Sequence, residues 1–166
     1  RFLTVMHMQP SHYVDSMFLG HIESVREGLA RHLGCSPEEL AITRNTTESL
    51  QNVIFGLNLG RGDEVLTTTQ DYPSMLSAVR QRELRDGVVL KQFAYPTPPE
   101  NPAVLTELFR KHITPRTKAI LVSHFTFTTG QVFPVKEICA LARERGIFSI
   151  VDGAHAFAHV PFRVDE

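Results

Sequence analysis

The sequence predicts an α/β fold in which a mostly parallel sheet is covered by helices on both faces. Apolar runs of strand length alternate with segments of about 10 to 15 residues whose apolar positions recur at helical spacing. Two of the runs, residues 119–122 and 147–151, are apolar almost throughout, which is typical of strands buried on both sides. Strands joined by helices favour right-handed crossovers and therefore parallel neighbours.

The N-terminal part of the chain is predicted to be mainly helical. The first predicted helix spans residues 17–33, because apolar residues recur there every three or four positions and Gly34 follows as a C-terminal cap. Residues 40–43 form the first predicted strand, and the polar turn at residues 44–48 opens the next helix. No element is predicted for residues 1–8.

The rest of the chain alternates between strands and helices. The predicted strands are residues 64–68, 88–93, 118–123 and 148–151, and the predicted helices between them are residues 72–84, 101–112 and 134–145. Pro134 at a first helical position and Gly146 at the end support the last of these helices. We divide the 166 residues into an incomplete N-terminal helical segment, residues 1–39, and an α/β core, residues 40–166.

Composition excludes several kinds of partner. Seventeen basic and eighteen acidic residues give a net charge of -1 without long charged blocks, so neither nucleic acid nor an acidic membrane surface is expected as a partner. No apolar run approaches the roughly 20 residues of a membrane span, and two distant cysteines favour reduced thiols. We expect a cytoplasmic protein. The chain begins with Arg1, and we interpret both ends as cut, so a targeting segment outside residues 1–166 is not excluded.

Polar turns follow several predicted strands and therefore share one edge of a parallel sheet. Asn45, Thr46 and Thr47 open a helix, where free backbone N–H groups, hydroxyls and the helix dipole bind phosphate. The alternative is an ordinary helix cap. Tyr72 stands before the next helix, where its ring either stacks on a planar ligand or packs on that helix.

Two further polar groups follow the later strands. Residues 123–131 are rich in hydroxyl groups, which either donate to a ligand or satisfy one another within the loop. Asp152 follows a run of mainly apolar residues, with His155 three positions later. A buried carboxylate requires a partner, so we expect an arginine or the ring nitrogen of a cofactor to face Asp152.

Taken together, these groups predict a pyridoxal phosphate site. A phosphate-binding turn, a stacking ring, hydroxyl donors and an acid at a strand end follow one another along the chain. The acid would keep the pyridine nitrogen protonated, which makes the ring an effective electron sink. A non-catalytic binding or interaction module on the same fold, with the turns acting as caps, is the alternative. A nucleotide-binding domain is disfavoured because no G-x-G-x-x-G follows a strand, and the scattered histidines disfavour a metal enzyme.

Three segments carry a resemblance to a known family. Residues 43–50 resemble a phosphate-binding turn, residues 123–135 a mid-domain signature and residues 151–155 a pyridine-binding acid motif. Together they resemble the motifs of the class V aminotransferase family of fold type I pyridoxal phosphate enzymes, which includes cysteine desulfurases, isopenicillin N epimerase-like proteins and kynureninase. The resemblance covers about residues 40–155 and implies part of the family's large domain.

The resemblance implies a set of cofactor-binding residues. They are Asn45, Thr46, Thr47, Tyr72, Thr126, Thr128, Asp152 and His155. Thr46 and Thr47 would bind the phosphate, and His155 would lie near the phenolic oxygen of the ring. Thr126 or Thr128 would contact that oxygen, because Phe127 stands where desulfurases carry Asn. Tyr72 and His155 in place of the desulfurase His and Gln favour the epimerase-like branch.

The resemblance also implies what the chain lacks. The Schiff-base lysine of the family lies beyond the acid motif, and none of Lys91, Lys111, Lys118 and Lys136 follows a strand end near Asp152. We expect this chain alone to be inactive. The intact parent is expected to be a homodimer that acts on a small amino-acid substrate through an external aldimine and an α-carbanion, with transamination, epimerisation or desulfuration as the outcome.

Overall fold

The computed structural model describes residues 2–165. Two compact units are present. One contains the described residues up to Thr43 together with those from Phe162 onward, and the other contains Arg44–Pro161. Within residues 2–165, no helix combines the length and the apolarity that a bilayer span requires.

The first unit is built from helices. They are α1 (Phe2–Met8), α2 (Pro10–Ser16) and α3 (Phe18–Leu33), followed by a 3-10 turn at Pro37–Glu39. The predicted helix at residues 17–33 is confirmed, and it ends at Gly34 in the left-handed conformation with φ of 75°. Neither α1 nor α2 was predicted. Each has seven residues, which is too short to show a clear helical repeat.

The predicted strand at residues 40–43 is wrong. These residues form no strand, and the side chain of Ile42 is 47% exposed. A short apolar run becomes a strand only where a neighbouring chain segment satisfies its backbone N–H and C=O groups. No such segment pairs with residues 40–43 among the described residues.

The second unit contains four strands and four helices. They are α4 (Thr46–Gly56), β1 (Glu64–Thr68), α5 (Pro73–Asp86), β2 (Val89–Phe93), α6 (Pro102–His112), β3 (Thr117–Ser123), α7 (Val135–Glu144) and β4 (Phe148–Asp152). The predicted strands and helices from residue 64 onward are confirmed, with bounds that differ by at most two residues. The regular alternation of strand and helix allowed the secondary structure of this part of the chain to be predicted from the sequence.

All neighbouring strands in the sheet are parallel, in the order β2-β1-β3-β4. The chain passes from β1 to β2 in one direction through α5. It then returns across β1 to β3 and on to β4 through α6 and α7. Because parallel crossovers are right-handed, this reversal places α5 on one face and α6 and α7 on the other. The predicted α/β fold is confirmed, and its topological switch point lies between β1 and β3.

Successive strand residues feed two separate cores. Val65 packs with α4 and α5 on one face, whereas Leu66 packs with α6 and α7 on the other. Residues 119–122 alternate in the same way, and each of them is fully buried. Phe93 and Phe109 anchor the second core, with their ring centroids 4.9 Å apart in an edge-to-face arrangement. The sheet is therefore held rigid from both faces.

A buried arginine fixes the helix α4 to the helix α5. Arg82 of α5 is only 4% exposed. Its guanidinium donates to the carbonyl oxygens of Ile54 at 2.7 Å, Leu57 at 3.0 Å and Leu59 at 3.0 Å, and it forms an ion pair with Asp86. These carbonyls lie in and after the last turn of α4, where helical backbone oxygens lack partners.

Replacing Arg82 with methionine is expected to destabilise the protein by about 3 kcal/mol, because the substitution leaves the buried carbonyls of Ile54, Leu57 and Leu59 without their charged donor. The free energy of unfolding from chemical denaturation measures this loss. Arg80→Met is the matched control, since Arg80 lies on the same helix and is exposed, and a change within about 0.5 kcal/mol is expected for it. If both substitutions lowered the free energy of unfolding equally, the buried hydrogen bonds of Arg82 would not be what stabilises the end of α4.

Candidate functional site

A cavity of about 420 Å³ opens at the carboxyl edge of the sheet in the second unit. It is lined from the start of α4 and from the turns that follow β1, β3 and β4. The lining residues are Asn45, Thr46, Thr47, Leu50, Tyr72, Ser123, Phe125, Phe127, Asp152, Ala154 and His155. Six of the eight predicted site residues are therefore brought together, whereas Thr126 and Thr128 are not among the lining residues.

The cavity exists because the sheet divides at this edge. The pairing of β1 with β3 ends at Leu66 and Ile120. Beyond that point β1 continues to pair with β2 as far as Thr68, and β3 continues to pair with β4 as far as Ser123. The two central strands thus diverge at the switch point, where open α/β sheets bind their ligands.

The start of α4 supplies a group of donors. The side chain of Asn45 accepts a hydrogen bond from the backbone N–H of Glu48 at 2.9 Å, so Asn45 caps the helix. Thr46 and Thr47 are the first two helical residues, and backbone N–H groups at these positions have no partner within the helix. Their partial positive charge suits an anion. Capping by Asn45 and phosphate binding by the threonines are compatible, and the second of these stays a prediction.

The one acid in the first turn of α4 is neutralised by an arginine. Glu48 accepts hydrogen bonds from the guanidinium of Arg44 at 3.2 Å and from its backbone N–H at 2.9 Å. These bonds, those of the guanidinium first, hold the pKa of Glu48 below its ordinary value. The carboxylate of Glu48 is therefore satisfied outside the cavity and competes little with an anion at the helix start.

Aromatic rings line another part of the cavity. Tyr72 precedes α5, and its ring meets the ring of Phe127 edge to face, with centroids 5.3 Å apart and an interplanar angle of 85°. The two side chains are 41% and 46% exposed. The ring of Tyr72 is therefore not buried in helix packing, and it is available to a planar ligand.

Asp152 is the buried acid of the site. It is the last residue of β4 and only 7% exposed. One carboxylate oxygen, Oδ1, accepts from the backbone N–H of Ala154 at 2.9 Å. Burial raises the pKa of Asp152 and the negative charge of Asp71 raises it further, against the opposing hydrogen bond from Ala154. In the part of the chain that the structure describes, no lysine or arginine pairs with this carboxylate.

His155 lies at the rim of the cavity. Its side chain is exposed, and its ring is tilted by 43° against Phe125, with centroids 6.5 Å apart. Its backbone carbonyl oxygen lies 2.8 Å from Nδ1 of His159. The turn after β4 thus holds the imidazole in the lining without burying it. Its predicted place near a cofactor oxygen stays a prediction.

The two threonines of the loop after β3 lie elsewhere. The hydroxyl of Thr126 is 2.8 Å from that of Thr129, and it accepts a hydrogen bond from the backbone N–H of Gln131 at 3.0 Å. Thr126 is fully buried, so its hydroxyl serves the loop itself. Thr128 is exposed outside the lining. The geometry favours the hydroxyl-satisfied loop at Thr126, whereas a ligand contact by Thr128 stays a prediction.

The sequence reasoning missed Asp71. This residue directly precedes Tyr72 and is only 3% exposed, with hydrogen-bond donors on both sides of its carboxylate. The signal was available, because an acid in the turn after a buried strand is the same pattern that identified Asp152.

The fold and the cavity define an α/β domain with an open cavity at its switch point, which is where folds of this class bind their ligands. Comparison with known proteins identifies the family. The Aminotransferase class-V family model matches residues 4–166. Isopenicillin N epimerase of Streptomyces clavuligerus is 37% identical over 131 residues, which cover 79% of this chain and 33% of that protein. A probable cysteine desulfurase of Synechocystis sp. is 32% identical, over 86% of this chain and 34% of that protein.

Solved structures share this fold. A complex of the cystine C-S lyase C-DES with its reaction product cysteine persulfide matches with a TM-score of 0.87 and 26% identity, over 99% of this chain and 44% of that chain. A mutant of the same lyase with glycine covalently linked to its PLP cofactor matches with a TM-score of 0.86. The chain belongs to the class-V aminotransferase family, as the resemblance of its motifs predicted. It spans about a third of the length of the curated relatives it matches.

Asp152 is expected to make the stability of the cofactor-free protein depend on pH. Its pKa is raised in the folded state, so its stabilising contribution is fully present below the unfolded pKa and is lost as the pH rises through the folded value. Asp152→Asn removes this titration. The stability of the wild type relative to this variant is therefore expected to fall as the pH rises above about 4.

Chemical denaturation of both proteins across this pH range measures the difference. Glu100→Gln is the control, because the carboxyl of Glu100 is exposed in a loop. If the wild type instead gained stability relative to Asp152→Asn over the same rise in pH, the pKa of Asp152 would not be raised in the folded state.

Proposed function

We propose that this chain is the pyridoxal phosphate-binding part of a class V aminotransferase-like enzyme that acts on an amino acid. The observation that carries the proposal is Asp152, a buried carboxylate with a raised pKa and without a lysine or arginine partner among the described residues, in a cavity that also contains the start of α4. A ligand with a cationic group facing Asp152 and an anionic group facing the start of α4 would stabilise both the buried carboxylate and the unpaired backbone N–H groups of the helix.

The cavity fits such a ligand. Its volume of about 420 Å³ lies within the range of small-ligand sites. The free N–H groups and hydroxyls of Thr46 and Thr47 suit a phosphate. The ring of Tyr72 offers a face or an edge to a planar aromatic group. Acid, donors and ring belong to one unit of the fold, so no rearrangement between units is needed to assemble them.

Each of these side chains has a defined task in the proposal. When bound, pyridoxal phosphate supplies an electron sink for the electrons released at the α-carbon of an amino acid. Asp152 holds a proton at the pyridine nitrogen, because its desolvated negative charge gains most from a cationic N–H group. Thr46 and Thr47 anchor the phosphate. Tyr72 and Phe127 exclude water from one side of the ring.

The reaction also requires a lysine, and we propose that it comes from a segment outside this chain. In the described structure none of the four lysines lines the cavity. Lys91, for example, donates to Glu64 at 3.5 Å, near the amino end of β1. This chain alone is then expected to bind the cofactor without turning over a substrate.

The names of the relatives and two residues of the site bear on the substrate and the reaction of the parent protein. The relative named probable cysteine desulfurase favours an α-amino acid as the substrate. Tyr72 and His155 favour the epimerase-like outcome over desulfuration. A homodimeric parent, which the resemblance implies, stays a prediction.

The proposal predicts that the full-length protein binds pyridoxal phosphate and that Asp152→Asn weakens this binding about tenfold or more. The substitution keeps the shape of the side chain and removes a charge-assisted hydrogen bond worth about 1.5 to 3 kcal/mol. Titration of the apo-protein, followed by the absorbance and fluorescence of the cofactor, gives the dissociation constants. A wild type that does not bind pyridoxal phosphate overturns the proposed function.

Threonine variants separate the phosphate contact from the ring contact. Thr46→Val with Thr47→Val is expected to weaken pyridoxal phosphate about threefold to tenfold and to leave pyridoxal, which lacks the phosphate, nearly unchanged. Thr128→Val is the matched control, because Thr128 is an exposed threonine outside the lining. Equal losses for the two ligands would show that these threonines do not bind the phosphate.

A further inference from the structure

We propose that Asp71 is a positioning residue that bridges the divergence between β1 and β3 and thereby fixes Tyr72 relative to Asp152. The inference rests on the proposed function, because it concerns the site in which the cofactor would lie. It assigns no contact with the cofactor to Asp71, which is not among the lining residues of the cavity.

The bridge consists of four hydrogen bonds to one buried carboxylate. On the β1 side, Oδ2 of Asp71 accepts from the hydroxyls of Thr67 and Thr68, each at 2.6 Å, and from the backbone N–H of Thr68 at 2.8 Å. On the β3 side, Oδ1 accepts from the backbone N–H of Ser123 at 2.9 Å. All four bonds are buried, and they lie beyond the point at which the β1–β3 pairing ends.

A carboxylate suits this position better than any neutral side chain. Four donors converge on its two oxygens, and a carboxylate offers only acceptors. An asparagine would direct its NH₂ group at the backbone N–H of either Thr68 or Ser123, and one of these buried donors would lose its partner. Donors that converge on a buried charge also hold it in place without a lysine or arginine.

The bridge connects the two halves of the site. Tyr72 directly follows Asp71 and is the N-cap residue of α5. On the other side of the divergence, Ser123 lines the cavity and pairs with Asp152 in the β3–β4 ladder. The distance between the stacking ring and the acid therefore depends on the bridge, because no backbone pairing joins β1 to β3 at this level. The charge of Asp71 also contributes to the raised pKa of Asp152.

Glu64 provides a matched control at the opposite end of the same strand. It is 2% exposed and accepts hydrogen bonds from the hydroxyls of Thr114 at 2.6 Å and Thr117 at 3.1 Å. It is thus also a buried carboxylate that links β1 to the β3 side of the sheet. Since it lies near the amino end of β1, far along the strand from the cavity lining, Glu64→Gln reports a purely structural loss.

The first experiment compares Asp71→Asn with Glu64→Gln in the full-length protein at a temperature at which both are folded. Asp71→Asn is expected to raise the dissociation constant of pyridoxal phosphate about tenfold and to shift the absorption maximum of the bound cofactor. Glu64→Gln is expected to lower the Tm while leaving the dissociation constant within about twofold. Wild-type affinity in Asp71→Asn, or equal losses of affinity in both variants, would overturn the inference.

A second measurement needs no cofactor and covers the case in which Asp71→Asn does not fold. Thr68→Val removes one hydroxyl from the bridge, whereas Thr68→Ser keeps it. In the apo-protein, the amide of Ser123 is expected to exchange its hydrogen faster in Thr68→Val and at the wild-type rate in Thr68→Ser, since a weakened bridge frees the β3 side. Unchanged exchange in Thr68→Val contradicts the bridge. Failure of the wild type to bind pyridoxal phosphate contradicts instead the proposed function.

Discussion

Beyond Leu66 and Ile120 the two central strands of the sheet separate, and the site depends on how their backbone groups are satisfied there. Buried N–H and C=O groups that lose a ladder partner require another one. The outer strands provide hydrogen-bond partners for some of these backbone groups, because β1 continues to pair with β2 and β3 continues to pair with β4. The carboxylate of Asp71 accepts hydrogen bonds from the backbone N–H groups of Thr68 and Ser123. The cavity is the space that this separation leaves.

Electrostatics then divides the cavity into two ends of opposite character. The start of α4 carries the partial positive charge of a helix N-terminus, and Arg44 neutralises the nearby acid Glu48. Asp152 supplies a buried carboxylate whose pKa is raised by its desolvation. A molecule with an anionic group and a protonated ring nitrogen is stabilised at both ends, whereas a purely anionic or purely cationic ligand gains at only one. This polarity, more than the volume of the cavity, favours pyridoxal phosphate.

Much of this architecture was predictable from the sequence, and the exceptions have physical causes. Residues 119–122 are apolar throughout because both faces of β3 are covered, which makes such strands easy to recognise. Asp152 was identifiable as a charge at the end of such a strand. The strand predicted at residues 40–43 was wrong because a local pattern contains no information on whether a pairing partner exists. The role of Asp71 depends on the register at which β1 and β3 separate, and this register is a property of the assembled sheet.

A crystal structure of the full-length protein with pyridoxal phosphate bound would test directly whether the cofactor lies between α4 and Asp152. We expect the phosphate at the backbone N–H groups of Thr46 and Thr47, and the pyridine nitrogen within hydrogen-bond distance of the carboxylate of Asp152. The bridge from Asp71 to Ser123 is predicted to be intact in the same structure. A cofactor bound away from this edge of the sheet, or one whose pyridine nitrogen faces a group other than Asp152, would contradict the account.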